Sequence, residues 1–197
     1  MHNTGLAAFL FQFPSSMNND DLEAPSNYGL IAILLHWLVA VLIGAAFGLG
    51  VVMVDIPGLT PTKLRYFSWH KWLGVTVLGL AALRLLWRRW RGAPPPSPMP
   101  LWQHRASAAG HALLYLLMFA VPLSGYFYSL AAGVPVVYLG LWPLPVLMEA
   151  DPVLKPILKE LHIALVYVML TIIIVHILAA LKHQFIDRDG TLKRMLP

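Results

Sequence analysis

The chain contains no cysteine. Disulfides, thiolate metal sites and covalent haem attachment through C-x-x-C-H are therefore excluded, while nothing follows about redox compartment. Charge is scarce as well. Asp, Glu, Lys and Arg make up 12% of the 197 residues, where a soluble domain usually carries about a quarter. No attached soluble domain and no convincing internal repeat can be read along the chain.

What is present is apolar. Hydrophobic residues make up 58% of the chain and gather in long runs, which marks a membrane protein rather than a large soluble core. The net charge of +5 comes from Lys and Arg grouped at the ends of those runs. That placement suits lipid headgroups and topology, not nucleic acid. Residues 1–27 stand apart. Gly5 to Phe13 is too short to span a bilayer and lacks the basic residue that opens a signal peptide. Ser15 to Asn27 is polar and acidic, and Met17 is a second candidate start. The stretch is expected to be a flexible extension without function.

Four runs are long enough to cross a hydrocarbon core, which takes roughly 20 helical residues. They cover about Gly29 to Val54, Tyr66 to Trp87, Ala106 to Leu130, with Pro122 as a kink, and Ile157 to Leu181. Pro94, Pro95, Pro96, Pro98 and Pro100 make a stiff link between the second and third. Backbone groups in lipid must pair within their own segment, so the spans are helices. The expected fold is all-α, an integral membrane four-helix bundle over residues 28–197. Arg88, Arg89, Arg91, Arg105, Lys182, Arg188, Lys193 and Arg194 fall on one side; Lys63, Arg65, Lys71, Lys155 and Lys159 fall on the other. The positive-inside rule then places both termini in the cytoplasm.

Histidines fall at two depths. His36 and His176 lie in the cytoplasmic half; His70 and His162 lie at the opposite end. On the fourth span His162 and His176 are 14 residues apart, which returns to within about 40° of one helix face and separates them by about 21 Å. His183 continues that face. Each depth thus has a matching histidine on another helix, His70 with His162 and His36 with His176. This fits two stacked haems, each held by imidazoles from two helices. Two histidines fill both axial positions of the iron, which favours electron transfer over oxygen binding. A single intramembrane histidine is as readily a hydrogen-bonding group between helices, and a metal-ion transporter would gather its ligands near the midplane.

His111 and His183 remain, both near the cytoplasmic side, where an imidazole can hydrogen-bond and protonate a quinone. Headgroup contact is the plainer reading of both. Gly44 and Gly48 form G-x-x-x-G, and Gly74 and Gly79 follow on the second span. Such glycines usually permit close helix packing, though one near a ligand can also admit a porphyrin ring. Trp37, Trp69, Trp72, Trp87 and Trp90 read as an interfacial belt.

Several stretches are similar to one known family. They are Tyr28-Gly29 with His36-Trp37, Arg84-Leu85-Leu86-Trp87-Arg88, Pro94-Pro95-Pro96, and Gly110-His111 followed by Leu114-Tyr115-Leu116-Leu117. Pro122-Leu123-Ser124-Gly125, the spacing of His162, His176 and His183, and the tail Asp189-Gly190-Thr191-Leu192 to Met195-Leu196-Pro197 complete the set. Over residues 28–197 the chain resembles the bacterial four-helix cytochrome b561 family, related to the cytochrome b subunits of nickel-iron hydrogenases. The N-terminal extension departs from the pattern. The resemblance implies a multi-pass protein of the bacterial inner membrane with two non-covalent b haems. Ligands would be His36 and His176 for the cytoplasmic haem, His70 and His162 for the periplasmic one. It also implies electron exchange with ubiquinone, and one member of that family passes an electron from superoxide through the haems to quinone. Three readings stay open: a self-contained oxidoreductase between a periplasmic donor, superoxide among the candidates, and ubiquinone; an electron-transfer subunit serving a separate dehydrogenase or hydrogenase; and a structural or ion-transport protein without haem.

Overall fold

Punctuation residues set the ends of the apolar runs. In the computed structural model, which describes residues 28–95 and 99–196, the first run forms α1, Leu30–Asp55. It stops before Pro57 and Gly58, the latter with φ +69°. The second forms α2, Pro61–Arg91. Thr60 caps it by accepting the Lys63 N–H at 3.1 Å, with proline in the first turn where no N–H is needed. It ends at Gly92, whose φ of +75° terminates a helix at little steric cost. The third run forms α3, Leu101–Ala131, and the last forms α4, Leu154–Lys182. Asp151 accepts the N–H groups of Val153 and Leu154 at 2.8 and 3.0 Å, placing a negative group at the positive head of α4. The expected extension over residues 1–27, with Pro96 and Pro98 of the link, lies outside the described residues.

Among the described residues, three of these four helices are long and apolar enough to cross a membrane: α1, α3, and α4 with its continuation to Asp187. The expected span from Tyr66 to Trp87 lies in α2, which has the length, 31 residues. It is less apolar because His70, Lys71 and Arg84 interrupt its run. α1 packs on α2, α2 on α3 and α3 on α4, with fewer close backbone approaches between α1 and α4. The start of α1, the end of α2, the start of α3 and the end of α4 share one end of the bundle. There the C-terminal tail is tied back twice. Trp37 Nε1 donates to the Met195 carbonyl at 2.8 Å, and Arg194 donates to the Pro95 carbonyl at 2.8 Å. We call this the tail end.

The opposite end carries a small departure from an all-helical chain. Strands β1, Val137–Tyr138, and β2, Trp142–Pro143, form an antiparallel hairpin pairing Val137 with Pro143 and Tyr138 with Trp142. Trp72 Nε1 donates to the Val137 carbonyl at 2.8 Å, and the Thr76 and Tyr138 hydroxyls lie 2.9 Å apart. Trp72 therefore fastens the hairpin to α2 as well as standing near a span end. The Tyr126 hydroxyl of α3 donates to the Pro145 carbonyl.

Midway between the ends sits the core. Val39, Ala81, Tyr115, Leu117, Met118 and Met169 are buried together, with Leu80, Leu113, Phe119, Leu165 and Ile172 packed around them. The outer faces are apolar too, with Leu34, Val41, Leu86, Leu116 and Leu178 exposed. Apolar residues on both the inside and the outside of a bundle are what a lipid surround allows.

Candidate functional site

Each helix carries two notable positions 14 residues apart: His36 and Gly50 on α1, His70 and Arg84 on α2, His111 and Gly125 on α3, His162 and His176 on α4. Because 14 residues nearly complete four turns, each pair shares a face. The antiparallel packing then sorts them into two tiers, about 21 Å apart, with the core between.

At the hairpin end, His70 and His162 face each other with ring centroids 6.2 Å apart. A methyl added at Gly125 would stand 2.9 Å from His162 Cε1, and one at Gly50 would stand 3.3 Å from His70 Cε1. The two glycines are therefore cradles for the two imidazoles. His70 Nδ1 lies 2.9 Å from the Ala46 carbonyl. His162 Nδ1 lies 3.1 Å from the Val121 carbonyl and 3.0 Å from Ser124 Oγ. A carbonyl only accepts, so Nδ1 carries the proton in each ring and Nε2 keeps its lone pair.

At the tail end three histidines meet. The His36 and His176 centroids are 6.3 Å apart, and those of His111 and His176 are 5.4 Å apart. His111 Nδ1 is held 2.8 Å from the Ser107 carbonyl. Arg84 from α2 completes the tier, its guanidinium 5.4 Å from the Tyr115 ring centroid.

These separations can be compared with metal ligation. A metal–imidazole bond is about 2 Å, and a five-membered ring adds roughly another 1 Å from nitrogen to centroid, so two imidazoles on opposite sides of one metal have centroids about 6 Å apart. His70–His162 and His36–His176 match that spacing; His111–His176 is shorter. The donor set of neutral imidazoles between helices, without carboxylate or thiolate, suits a haem iron better than a hard cation.

His111 and His183, grouped from the sequence as quinone residues, lie in different settings. His183 follows α4 in a short π-helical turn, His183–Asp187. Its Nδ1 is 2.6 Å from Asp189 Oδ2 and 3.2 Å from Asp187 Oδ2. Asp189 also accepts the Thr191 N–H at 2.9 Å. Burial alone would raise the Asp189 carboxyl, but hydrogen bonds from Thr191 and His183 outweigh it and hold the group below the ordinary carboxylate value. A depressed carboxylate pKa stabilises the folded tail above the unfolded value, and the contribution is lost as pH falls through the folded one. The tail is therefore fixed at neutral pH.

The close helix packing expected at Gly44, Gly48, Gly74 and Gly79 is not found. Methyls at Gly44, Gly48 and Gly79 would meet nothing within 4 Å, and one at Gly74 would only touch Pro122 at 4.0 Å. Gly50 and Gly125 make the close approaches instead, against imidazoles and not helix backbones. The 14-residue spacing that marks them, and Arg84 with them, was present in the sequence.

The family model described as prokaryotic cytochrome b561 matches residues 27–197. Cytochrome b561 homolog 2 of Escherichia coli (strain K12) is 35% identical over 177 residues, covering 88% of this chain and 93% of that protein. The probable superoxide oxidase CybB of Yersinia pestis is 31% identical over 176 residues, covering 86% and 96%. Cytochrome b561 homolog 1 of Escherichia coli (strain K12) is 28% identical over 166 residues, covering 84% and 94%.

Proposed function

This chain belongs to the prokaryotic cytochrome b561 family of membrane electron-transfer proteins that bind b-type haem, and from that premise we propose that it carries two haems, one per tier, and moves electrons from a periplasmic donor to ubiquinone. The observation that carries the proposal is the pair of centroid separations, 6.2 and 6.3 Å. His70 and His162 would hold one haem, His36 and His176 the other. A haem held there would supply a one-electron centre. The residues do the rest. Ala46, Val121 and Ser124 fix the hairpin-end rings, Gly50 and Gly125 give them room, and the apolar core excludes water between the tiers.

We take residues 28–197 as one domain of four spans in the bacterial inner membrane. The charge asymmetry supports placing the tail end in the cytoplasm. A quinone there would meet His183, with His111 deeper beside His176. Asp189 accepts from Nδ1 of His183; in the doubly protonated ring Nε2–H would then donate to a quinone carbonyl and pass it a proton on reduction. His183→Ala is expected to slow quinone-dependent haem reoxidation at least tenfold, and Asp189→Asn to slow it less. Wild-type rates in both His183→Ala and His111→Ala would place the quinone elsewhere.

For the donor, the name of the Yersinia pestis relative supports superoxide. A haem held by His70 and His162 would supply a one-electron acceptor for such a donor. Lys63, Arg65, Lys71 and Lys159 lie around the hairpin-end tier and would steer an anion, although the Lys63 ammonium also donates to the Ile56 carbonyl at 2.6 Å and Lys159 stands 3.8 Å from Glu160. The deciding experiment is a reduced-minus-oxidised absorption spectrum with haem quantification on purified protein, followed by stopped-flow reduction with superoxide across a salt series. Two haems and a rate that falls with salt, as a Debye length of about 8 Å at physiological strength requires of steering, are expected. Haem without reduction by superoxide would favour an electron-transfer subunit serving a separate dehydrogenase or hydrogenase. Absence of haem would overturn the proposal.

A further inference from the structure

Arg84 is half-buried in the tail-end tier, 14 residues after His70 on α2. A guanidinium at membrane depth is costly and normally pairs with an acid or a backbone carbonyl. Among the described residues no carboxylate forms an ion pair with it. The sequence explains why: residues 56–148 contain no Asp or Glu at all. Asp55, Glu149, Asp151 and Glu160 all belong to the hairpin end. At the tail end Asp187 is engaged by Lys182 at 2.5 Å and Asp189 by His183 at 2.6 Å. What Arg84 meets instead is the face of Tyr115, at the level of His36, His111 and His176. Among the described residues no anion is placed to compensate that charge.

Haem brings two propionate carboxylates of its own, and a guanidinium offers a planar fork of donors that matches a carboxylate. We propose that Arg84 is the counter-ion of a propionate on the haem bound at the tail-end tier, which rests on the reading that His36 and His176 hold a haem there. The residue thereby does two things. It retains the cofactor by its edge while the histidines retain it by the iron, and it holds positive charge close to the macrocycle, which favours the reduced state.

The test is a spectroscopic redox titration of the full-length protein as wild type, Arg84→Gln and Arg84→Lys, with haem per chain measured alongside. In Arg84→Gln the reduced-to-oxidised ratio of the tail-end haem at fixed ambient potential should fall about tenfold, a downshift of about 59 mV for one electron. The hairpin-end haem should keep its midpoint, and Arg84→Lys should recover most of the shift. Unchanged midpoints in Arg84→Gln, or an equal fall in Arg84→Lys, would overturn the assignment. If Arg84→Gln does not accumulate, redox-difference infrared spectra of wild type and Arg84→Lys, loaded with propionate-labelled haem, take its place. Label-sensitive carboxylate bands that differ between the two support the pairing, and identical bands refute it. Wild type that holds two haems with Arg84 variants of unaltered potential refutes this inference alone, whereas wild type without haem refutes the haem reading beneath it.

Discussion

Replacing His162 with leucine is expected to halve the haem content, leaving one low-spin b haem per chain. His162 is the hairpin-end partner of His70 at 6.2 Å, and leucine would offer no lone pair to hold a haem there. His70→Leu should give the same spectrum. His176→Leu should remove the tail-end haem instead. The tail-end tier allows a sharper distinction, because His176 has two histidine neighbours. His36 stands 6.3 Å from it and His111 5.4 Å, and only the former matches the spacing of two trans imidazoles. His36→Leu is therefore expected to lose the haem, and His111→Leu to keep it low-spin. Haem quantification with low-temperature electron paramagnetic resonance reads both tiers. Two normal low-spin haems in both His162→Leu and His176→Leu would show the ligand assignment to be wrong. Loss in His111→Leu but not in His36→Leu would move the tail-end ligand to α3.

Gly125→Ala should approach the effect of losing His162 itself, although it adds only one methyl group. That methyl would lie 2.9 Å from Cε1 and 3.2 Å from Nδ1 of the imidazole. The ring cannot swing clear without giving up the Val121 carbonyl at 3.1 Å and Ser124 Oγ at 3.0 Å. Overpacking of this sort costs about 1–3 kcal/mol, roughly a ten- to hundredfold loss of haem affinity at that tier. Gly50→Ala, at 3.3 Å from His70, should be milder. Gly44→Ala meets no protein atom within 4 Å and should leave the His162 and His70 rings in place. Equal haem content across Gly125→Ala and Gly44→Ala would refute the cradle.

Much of this arrangement was legible in the sequence because helices in lipid are governed by few rules. Apolar length marks the spans, and a 14-residue interval on a 3.6-residue repeat keeps two side chains on one face. His162 and His176 therefore announced two levels before any helix was placed. Gly50 and Gly125 did not announce themselves, because a glycine is informative only once the rotation of the opposing helix is known, and the G-x-x-x-G spacing drew attention to Gly44 and Gly48. Arg84 was visible as part of a family motif but not as an unpaired charge. That required seeing how far the nearest acids lie. The hairpin was hidden for another reason. Its strands have two residues each, its turn places Leu139 at φ +53° where glycine or asparagine would be the usual signal, and its anchors, Trp72 and Thr76, come from a helix more than 60 positions earlier.

The buried layer of Val39, Ala81, Leu117, Met118 and Met169 around Tyr115 offers no carboxylate or imidazole from which a proton could hop. An electron passing from the hairpin-end tier to the tail-end tier would then cross most of the dielectric alone, and the proton that joins the reduced quinone would come from the side where the electron arrives. Turnover would displace net charge across the bilayer. With the tail end in the cytoplasm, as proposed, such a current would work against a membrane that is negative inside, at about 2.3 kcal/mol per charge for each 100 mV, and the voltage across the membrane would act as a brake on the protein.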